Sequence, residues 1–401
     1  MKKAMKARKT GMILKSTRER LVAVLAVALL AVVVLGAMAA GCGSSTTTTT
    51  VAPATTAPSS TETTTFQDTT TAGAPTTTIA ALSASLNGAG ATFPAPLYLE
   101  WIGAFQKIET GVKINYQGVG SGAGIQQFTA QTVDFGASDA FMKPEEITAA
   151  EAALTGAKVL QIPTVFGSIT LAFNLPGITK IQLDSDTVAA IFLGKITKWD
   201  DAKIKALNAD AKLPSLAIQT VHRSDSSGTT NAFTSYLTAV NADWKAGPGA
   251  GKTVKWSGGL GGQGNDGVAG IVKQTEGGIG YVELSYAVSN GMTVAAMKNK
   301  SGKFVLPSLE STSAAAEGGD IPADLHLSTS DSANPAAYPI VTATYILAYD
   351  KMPDAAKATA LKAFLTWALN DGTTVAQQLG YAPLPSALKD AALAKVNAIG
   401  S

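Results

Sequence analysis

From residue 83 onward, apolar positions recur in two rhythms. Tyr98, Trp101, Ile102 and Phe105 stand at i, i+3, i+4 and i+7. Phe233, Tyr236, Leu237 and Val240 repeat that spacing, and so do Leu361, Phe364, Leu365 and Ala368. The pattern places four apolar side chains on one helical face, so it predicts three amphipathic helices. Asp371-Gly372 is a stop signal for the last of them. Continuous apolar runs at 165–173, 279–282 and 340–348 predict buried strands. Helices interspersed with buried strands predict an α/β fold. The sequence has no repeat of fixed period.

Three of the predicted helix starts share a composition. Gly88-Ala89-Gly90-Ala91-Thr92-Phe93-Pro94-Ala95-Pro96 leads into the helix of Tyr98 and Trp101, with Thr92 as the expected N-cap. Gly118-Val119-Gly120-Ser121-Gly122-Ala123-Gly124 precedes Ile125 and Phe128, and Arg223-Ser224-Asp225-Ser226-Ser227-Gly228-Thr229-Thr230 precedes Phe233. Glycines and small hydroxyl residues at a helix start leave backbone N–H groups free at its positive end. Singly, each is ordinary capping. Together, with an arginine in one of them, they point to an oxyanion site. A fourth segment, Thr132 to Asp139, alternates apolar and polar residues like a strand and carries Asp139 at its C-terminal end. Ligands of open α/β sheets bind outside such ends, although a capping or surface aspartate fits equally well.

The N-terminus is a separate matter. Eight basic residues precede an apolar run from Leu21 to Leu35, which ends in small residues before Cys42. That order is the mark of an export signal, with a retained membrane helix as the alternative. Cys42 is the only cysteine, so no internal disulfide is possible. Ala39-Ala40-Gly41-Cys42 resembles a bacterial lipobox, with Ala39 where leucine is more usual. This predicts a lipoprotein signal over 1–41 and acylation of Cys42. Residues 42–82 are mostly Thr, Ser, Ala and Pro and are expected to form a flexible tether, or else a glycosylated stalk.

Setting the leader aside reverses the sign of the charge. Subtracting its eight basic residues and one acid from 31 and 29 leaves 23 and 28, a net charge of −5. Beyond the leader there is no basic block, and nucleic-acid binding is not expected. Ala246 to Thr253 misses a P-loop by having Ala246 in place of glycine, and it lacks the strand-then-helix context. Gly258 to Gly267 reads as a loop near the site. A triad of Ser227, His222 and Asp225 is conceivable on paper, but the three are near neighbours in sequence and lie on no nucleophile elbow. His222 is expected to be structural. No catalytic residue, metal or cofactor is expected.

Several segments carry a family resemblance. They are Gly88 to Pro96, Asn115 to Ser121, Val133 to Ala140, Leu193 to Asp201, Ser226 to Thr229, Gly261 to Gly267 and Gly278 to Glu283. In this order, and over essentially all of the chain from Ala84, it resembles the periplasmic phosphate-binding receptors of high-affinity phosphate ABC importers. One departure is Gly122-Ala123, where the family often has Ser-Gly.

The resemblance implies a two-lobed periplasmic binding protein of type II, with a ligand cleft between lobes joined by crossing strands. It implies one lobe from 83–165 and 338–401 and another from 166–337, with crossings near 163–167 and 337–342. Phosphate contacts would fall on Ala91, Thr92, Phe93, Ser121, Asp139, Arg223, Ser227, Gly228 and Thr229, with Asp225 supporting Arg223. The expected protein is an exported, lipid-anchored monomer delivering inorganic phosphate to the permease and ATPase subunits of an importer. Alternatives are another oxyanion, a surface phosphate sensor, or a secreted phosphatase using Ser227.

Overall fold

A computed structural model describes residues 82–317 and 319–400. The leader, Cys42 and nearly all of the expected tether lie outside the described residues. Among the described residues, no helix is long and apolar enough to cross a membrane.

The chain enters on strand β1 (Ala84–Gly90), followed by helix α1 (Ala95–Ile108), strand β2 (Val112–Gly118), helix α2 (Ser121–Thr129) and strand β3 (Phe135–Ser138). The long strand β4 (Val159–Phe173) comes next. Beyond it lie strand β5 (Gln219–Arg223), helix α3 (Gly228–Val240), strand β6 (Leu260–Gly262), helix α4 (Gly264–Gln274), strand β7 (Gly278–Glu283) and helix α5 (Leu284–Ser289). Strand β8 (Val341–Tyr349) and helix α6 (Ala355–Asn370) return the chain to its starting side.

The main sheet of the described residues runs β2-β1-β3-β8-β4-β7-β5-β6. β1 is parallel to both β2 and β3, and β5 is parallel to both β6 and β7. Between these two parallel sets, β8 and β4 are antiparallel neighbours. β4 pairs with β8 from Val159 to Ser168 and with β7 from Ile169 to Phe173. At the handover the Ile169 N–H donates to Ile340 O at 2.8 Å. One continuous strand therefore serves both halves of the sheet.

The three helices predicted from spacing form as expected. α1 buries Tyr98, Trp101, Ile102 and Phe105, the last two contributing about 1.5–3 kcal/mol each by removing apolar surface from water. Trp101 Nε1 also donates to Gly372 O at 2.7 Å, which ties α1 to the turn that ends α6. The strand at 135–138 differs from expectation. It is four residues long and buried throughout, because it lies inside the sheet between β1 and β8. Strands covered on both faces lose the alternation that one-sided burial imposes.

Thr92 is not the N-cap of α1. That position falls to Pro94, and the Thr92 hydroxyl is turned away toward Asn265. The reading of 258–267 as a loop is also corrected. Leu260–Gly262 forms strand β6, and α4 starts at Gly264. A run of glycines hid the strand because it supplies almost no side chains from which to read a period. Ala246 to Thr253 follows a short helix, Ala242–Ala246, and leads into turns, so it has neither the preceding strand nor the following helix of a P-loop.

Candidate anion-binding site

Five of the six parallel strands deliver a piece of the site from their carboxyl ends. β1 leads to Ala91, Thr92 and Phe93, β2 to Ser121, and β3 to Asp139. β5 ends on Arg223 and leads to Ser227, Gly228 and Thr229, while β6 leads to Asn265 at the start of α4. Loops at the carboxyl ends on either side of β1 and β5 converge because each of those strands has its successors on both flanks.

Arg223 is almost fully buried and paired. Its Nε donates to Asp225 Oδ1 at 2.7 Å, and its Nη2 faces Asp225 Oδ2 in a two-pronged pair. Burial raises the Asp225 pKa, but the hydrogen bonds and charge of Arg223, with the Gly264 N–H, outweigh it and leave the carboxyl below its ordinary value. The pair is a fixed fork, with Nη1 left beside the Thr229 hydroxyl at 3.3 Å. Behind it, Tyr281 accepts the Arg223 N–H at 3.1 Å and bonds the Thr230 hydroxyl at 2.7 Å.

The hydroxyl groups around the fork are oriented by what they accept. Ser121 Oγ accepts the N–H groups of Asp139 at 3.2 Å and of Gly228 at 3.1 Å. Thr92 Oγ1 accepts from Asn265 N at 3.3 Å and Nδ2 at 2.9 Å. Thr229 Oγ1 accepts from Arg223 and from Asn265 Nδ2, both at 3.3 Å. A hydroxyl has one proton and two lone pairs. With both lone pairs occupied, each of these three has one proton to give, that of Ser121 lying beside the Asp139 carboxyl. Donors therefore converge from Thr92, Ser121, Thr229 and Arg223, as an oxyanion requires.

Asp139 is the opposing acceptor. Its side chain is buried, and Thr344 donates to Oδ1 at 2.9 Å. Burial pushes its pKa up to about 7, against the lowering effects of Thr344, the Arg223 charge and Ser121. It is the one carboxyl among the expected ligand residues, and its proton affinity lies in the physiological range.

Two close approaches hold these groups together. Gly120 has φ 95°, and a Cβ there would stand 2.3 Å from Asp225 Oδ2. This glycine thus allows the Arg223–Asp225 loop to rest on the start of α2. The Gly122 N–H donates to Ser226 O at 2.9 Å across the same contact.

Of the residues expected at the site, Ala91 offers no donor. Its N–H donates to Ala137 O at 2.9 Å and its carbonyl accepts from Tyr116 at 2.6 Å. Ser227 is the N-cap of α3, its Oγ accepting the Thr230 N–H at 3.1 Å. The Ser227–His222–Asp225 triad does not form. His222 stacks on Trp256 with ring centroids 4.8 Å apart, its Nδ1 faces Arg223 O at 3.0 Å, and Asp225 holds the arginine. Among the described residues no cluster of metal-ligating side chains occurs.

Sequence reasoning missed Asn265, Thr344 and Glu283. Asn265 had a signal, since it lies in Gly261 to Gly267, one of the segments that carry the family resemblance. Glu283 is fully buried at the end of β7, where burial raises its pKa to about 8. Its Oε2 contacts Ser285 Oγ, which bonds Tyr381 Oη at 2.8 Å, and Tyr381 donates to Phe93 O at 2.7 Å. Oε2 also accepts the Ser285 N–H at 2.9 Å, while Oε1 has no hydrogen-bond partner among the described residues.

The family described as the PBP superfamily domain matches residues 47–371. The phosphate-binding protein PstS of Xylella fastidiosa (strain 9a5c) is 43% identical over 307 residues, 76% of this chain and 82% of its own. That of Haemophilus influenzae is 43% identical over 312 residues, 76% of this chain and 90% of its own. The chain belongs to the PstS family. A high-affinity periplasmic phosphate-binding protein solved with phosphate bound superposes with a TM-score of 0.65 at 25% identity, covering 79% of this chain and 99% of that one. The PstS fold is the two-lobed, type II periplasmic binding protein expected from the sequence, with the cleft flanked by strands common to both halves. In this PstS chain, the residues expected to touch ligand gather at the carboxyl ends of both parallel sets.

Proposed function

We propose that this protein is an extracytoplasmic receptor that binds inorganic phosphate between its two lobes and hands it to an ABC importer. The observation that carries the reading is the pairing of one buried acceptor, Asp139, with a shell of donors from Thr92, Ser121, Thr229 and Arg223. Phosphate near neutral pH is an oxyanion that still bears a proton. The shell takes its oxygens and Asp139 takes its P–OH. Sulfate bears no proton there, so its oxygen would face the Asp139 lone pairs in a desolvated site. A site built around a ligand hydroxyl rejects an analogue lacking it by about 10⁴–10⁵. The PstS relatives, named as phosphate-binding proteins, support the same ligand.

In this reading one lobe comprises 83–165 and 338–401, the other 166–337, and closure completes the shell. Phe93, Ser227 and Gly228 line it. Asp225 fixes Arg223, and Ala91 shapes the β1 loop without donating. The protein works as an exported monomer, tethered by 42–82 and anchored through acylated Cys42 after removal of 1–41. It turns nothing over, since Ser227 and His222 serve as cap and stacking partner. Calorimetric titration of the purified protein tests the ligand. Phosphate should bind at micromolar concentration or below, with sulfate far weaker. Failure to bind phosphate, or equal binding of sulfate, refutes it.

A further inference from the structure

Three consecutive carbonyls in the β1 loop each accept a hydrogen bond from a tyrosine hydroxyl. Tyr116 on β2 donates to Ala91 O at 2.6 Å, Tyr286 on α5 donates to Thr92 O, and Tyr381 donates to Phe93 O at 2.7 Å. All three tyrosines are buried, and burial raises the pKa of each, so the hydroxyls remain donors at any physiological pH. A phenylalanine would fill the same space without the cost of a buried hydroxyl. Their recurrence on adjacent carbonyls therefore needs a reason in the loop itself.

The peptide unit supplies that reason. It is planar and trans, so the N–H of a residue points opposite to the carbonyl of the residue before it. A hydroxyl that fixes Ala91 O fixes the direction of the Thr92 N–H, and one that fixes Thr92 O fixes that of the Phe93 N–H. Thr92 and Phe93 are buried, yet among the described residues neither N–H has an acceptor. Buried N–H groups without a partner are rare and call for an explanation. Here they belong to the loop whose Thr92 hydroxyl joins, through Asn265 and Thr229, the network of Arg223.

We propose that Tyr116, Tyr286 and Tyr381 are positioning residues, a hydroxyl clamp that aims the Thr92 and Phe93 N–H groups at the bound oxyanion. The inference rests on the phosphate reading for its ligand, but the orientation of the peptides stands apart from it. Tyr381 faces a carbonyl followed by Pro94, which has no N–H, and so anchors the loop where it enters α1. Tyr286 comes from the half of the sheet opposite β1. Without Tyr286, Thr92 O keeps only the turn bond from the Ala95 N–H at 3.2 Å, which draws the peptide toward the helix.

The test uses the full chain and the variants Y116F and Y286F, with ¹⁵N labels on threonine and phenylalanine. Each variant should lose phosphate affinity by about three- to tenfold, the worth of one neutral hydrogen bond, at unchanged melting temperature. In protein without phosphate, the N–H residual dipolar coupling of Phe93 should change in Y286F and that of Thr92 in Y116F. A purely structural role would leave both couplings where they are. Unchanged couplings overturn the clamp, whatever the affinities do. If wild-type protein binds no phosphate the functional reading falls, while the couplings still decide the clamp. Should Y286F fail to fold, Y116F read at Thr92 carries the same decision.

Discussion

A methyl group placed on Gly228 would stand 2.6 Å from Asp139 Cβ and 2.5 Å from Ser121 Oγ. The start of α3 and the end of β3 thus meet with no room for a side chain between them. The proposed acceptor, Asp139, and the proposed oxyanion-holding start of α3 are set against each other by this one contact.

Gly228→Ala should therefore prop the two halves apart. Overpacking of this kind costs about 1–3 kcal/mol, which predicts a loss of phosphate affinity of roughly ten- to a hundredfold. Circular dichroism should show an unchanged fold. Wild-type affinity in this variant would mean the contact is not part of the bound state.

Asp139→Asn replaces the acceptor by a group that also donates. Calorimetry with both anions should find the phosphate-to-sulfate affinity ratio lowered by about two orders of magnitude or more, since the unpaired contact that rejects sulfate is gone. An unchanged ratio would remove Asp139 from selectivity.

The same carboxyl gives selectivity a pH dependence. Its pKa near 7 means that acidification protonates it at little cost, and a protonated Asp139 can donate to sulfate. Sulfate affinity of wild-type protein should rise as pH falls, by about tenfold per unit above the folded pKa, and level off below it. Asp139→Asn should bind sulfate equally at pH 6 and pH 8. A flat wild-type profile would contradict the protonation argument.

Asp225→Ala frees the Arg223 fork and removes the acceptor of the Gly264 N–H at 3.1 Å. Loss of a charge-assisted bond of about 1.5–3 kcal/mol predicts a fall in phosphate affinity of roughly ten- to a hundredfold. Arg223→Lys, which keeps the charge but not the planar fork, should bind at least as poorly. Near-native affinity in the lysine variant would show that charge alone suffices.

Stability should fall with rising pH in protein without ligand. Asp139 and Glu283 are raised from ordinary values of 3.8 and 4.5 to about 7 and about 8. The native state then holds protons that the unfolded chain has released, so their contribution is complete below the ordinary values. It is lost as pH rises through the folded ones. Glu283→Gln removes the titrating group but keeps an acceptor for the Ser285 N–H, and should flatten the Glu283 share of that decline. Urea titrations from pH 5 to 9 measure it, and a wild-type curve rising over this range would be the wrong sign.

Much of the site was legible in the sequence, because helix starts advertise themselves. Gly120 and Ser121, or Ser227 and Gly228, are local signals whose geometry follows from backbone and side chain within a few residues. Asp139 was legible as a position at a strand end. Asn265 was legible only as part of a segment carrying the resemblance, since its donors matter only where α4 meets Thr92, a residue 173 positions away. Thr92 was misread for the same reason. A threonine beside a helix start looks like a cap until a distant asparagine claims its hydroxyl.

By itself the sequence determined the α/β class, the amphipathic helices, the family and the residue types of the donor shell. Those depend on periodicity and on chemistry held within short windows of chain. Only the tertiary structure decided which hydroxyls have protons to give, that Asp139 titrates near 7, and that three tyrosines pin the peptides of the β1 loop. Such properties depend on burial and on partners brought together from far along the chain, and no local pattern records them.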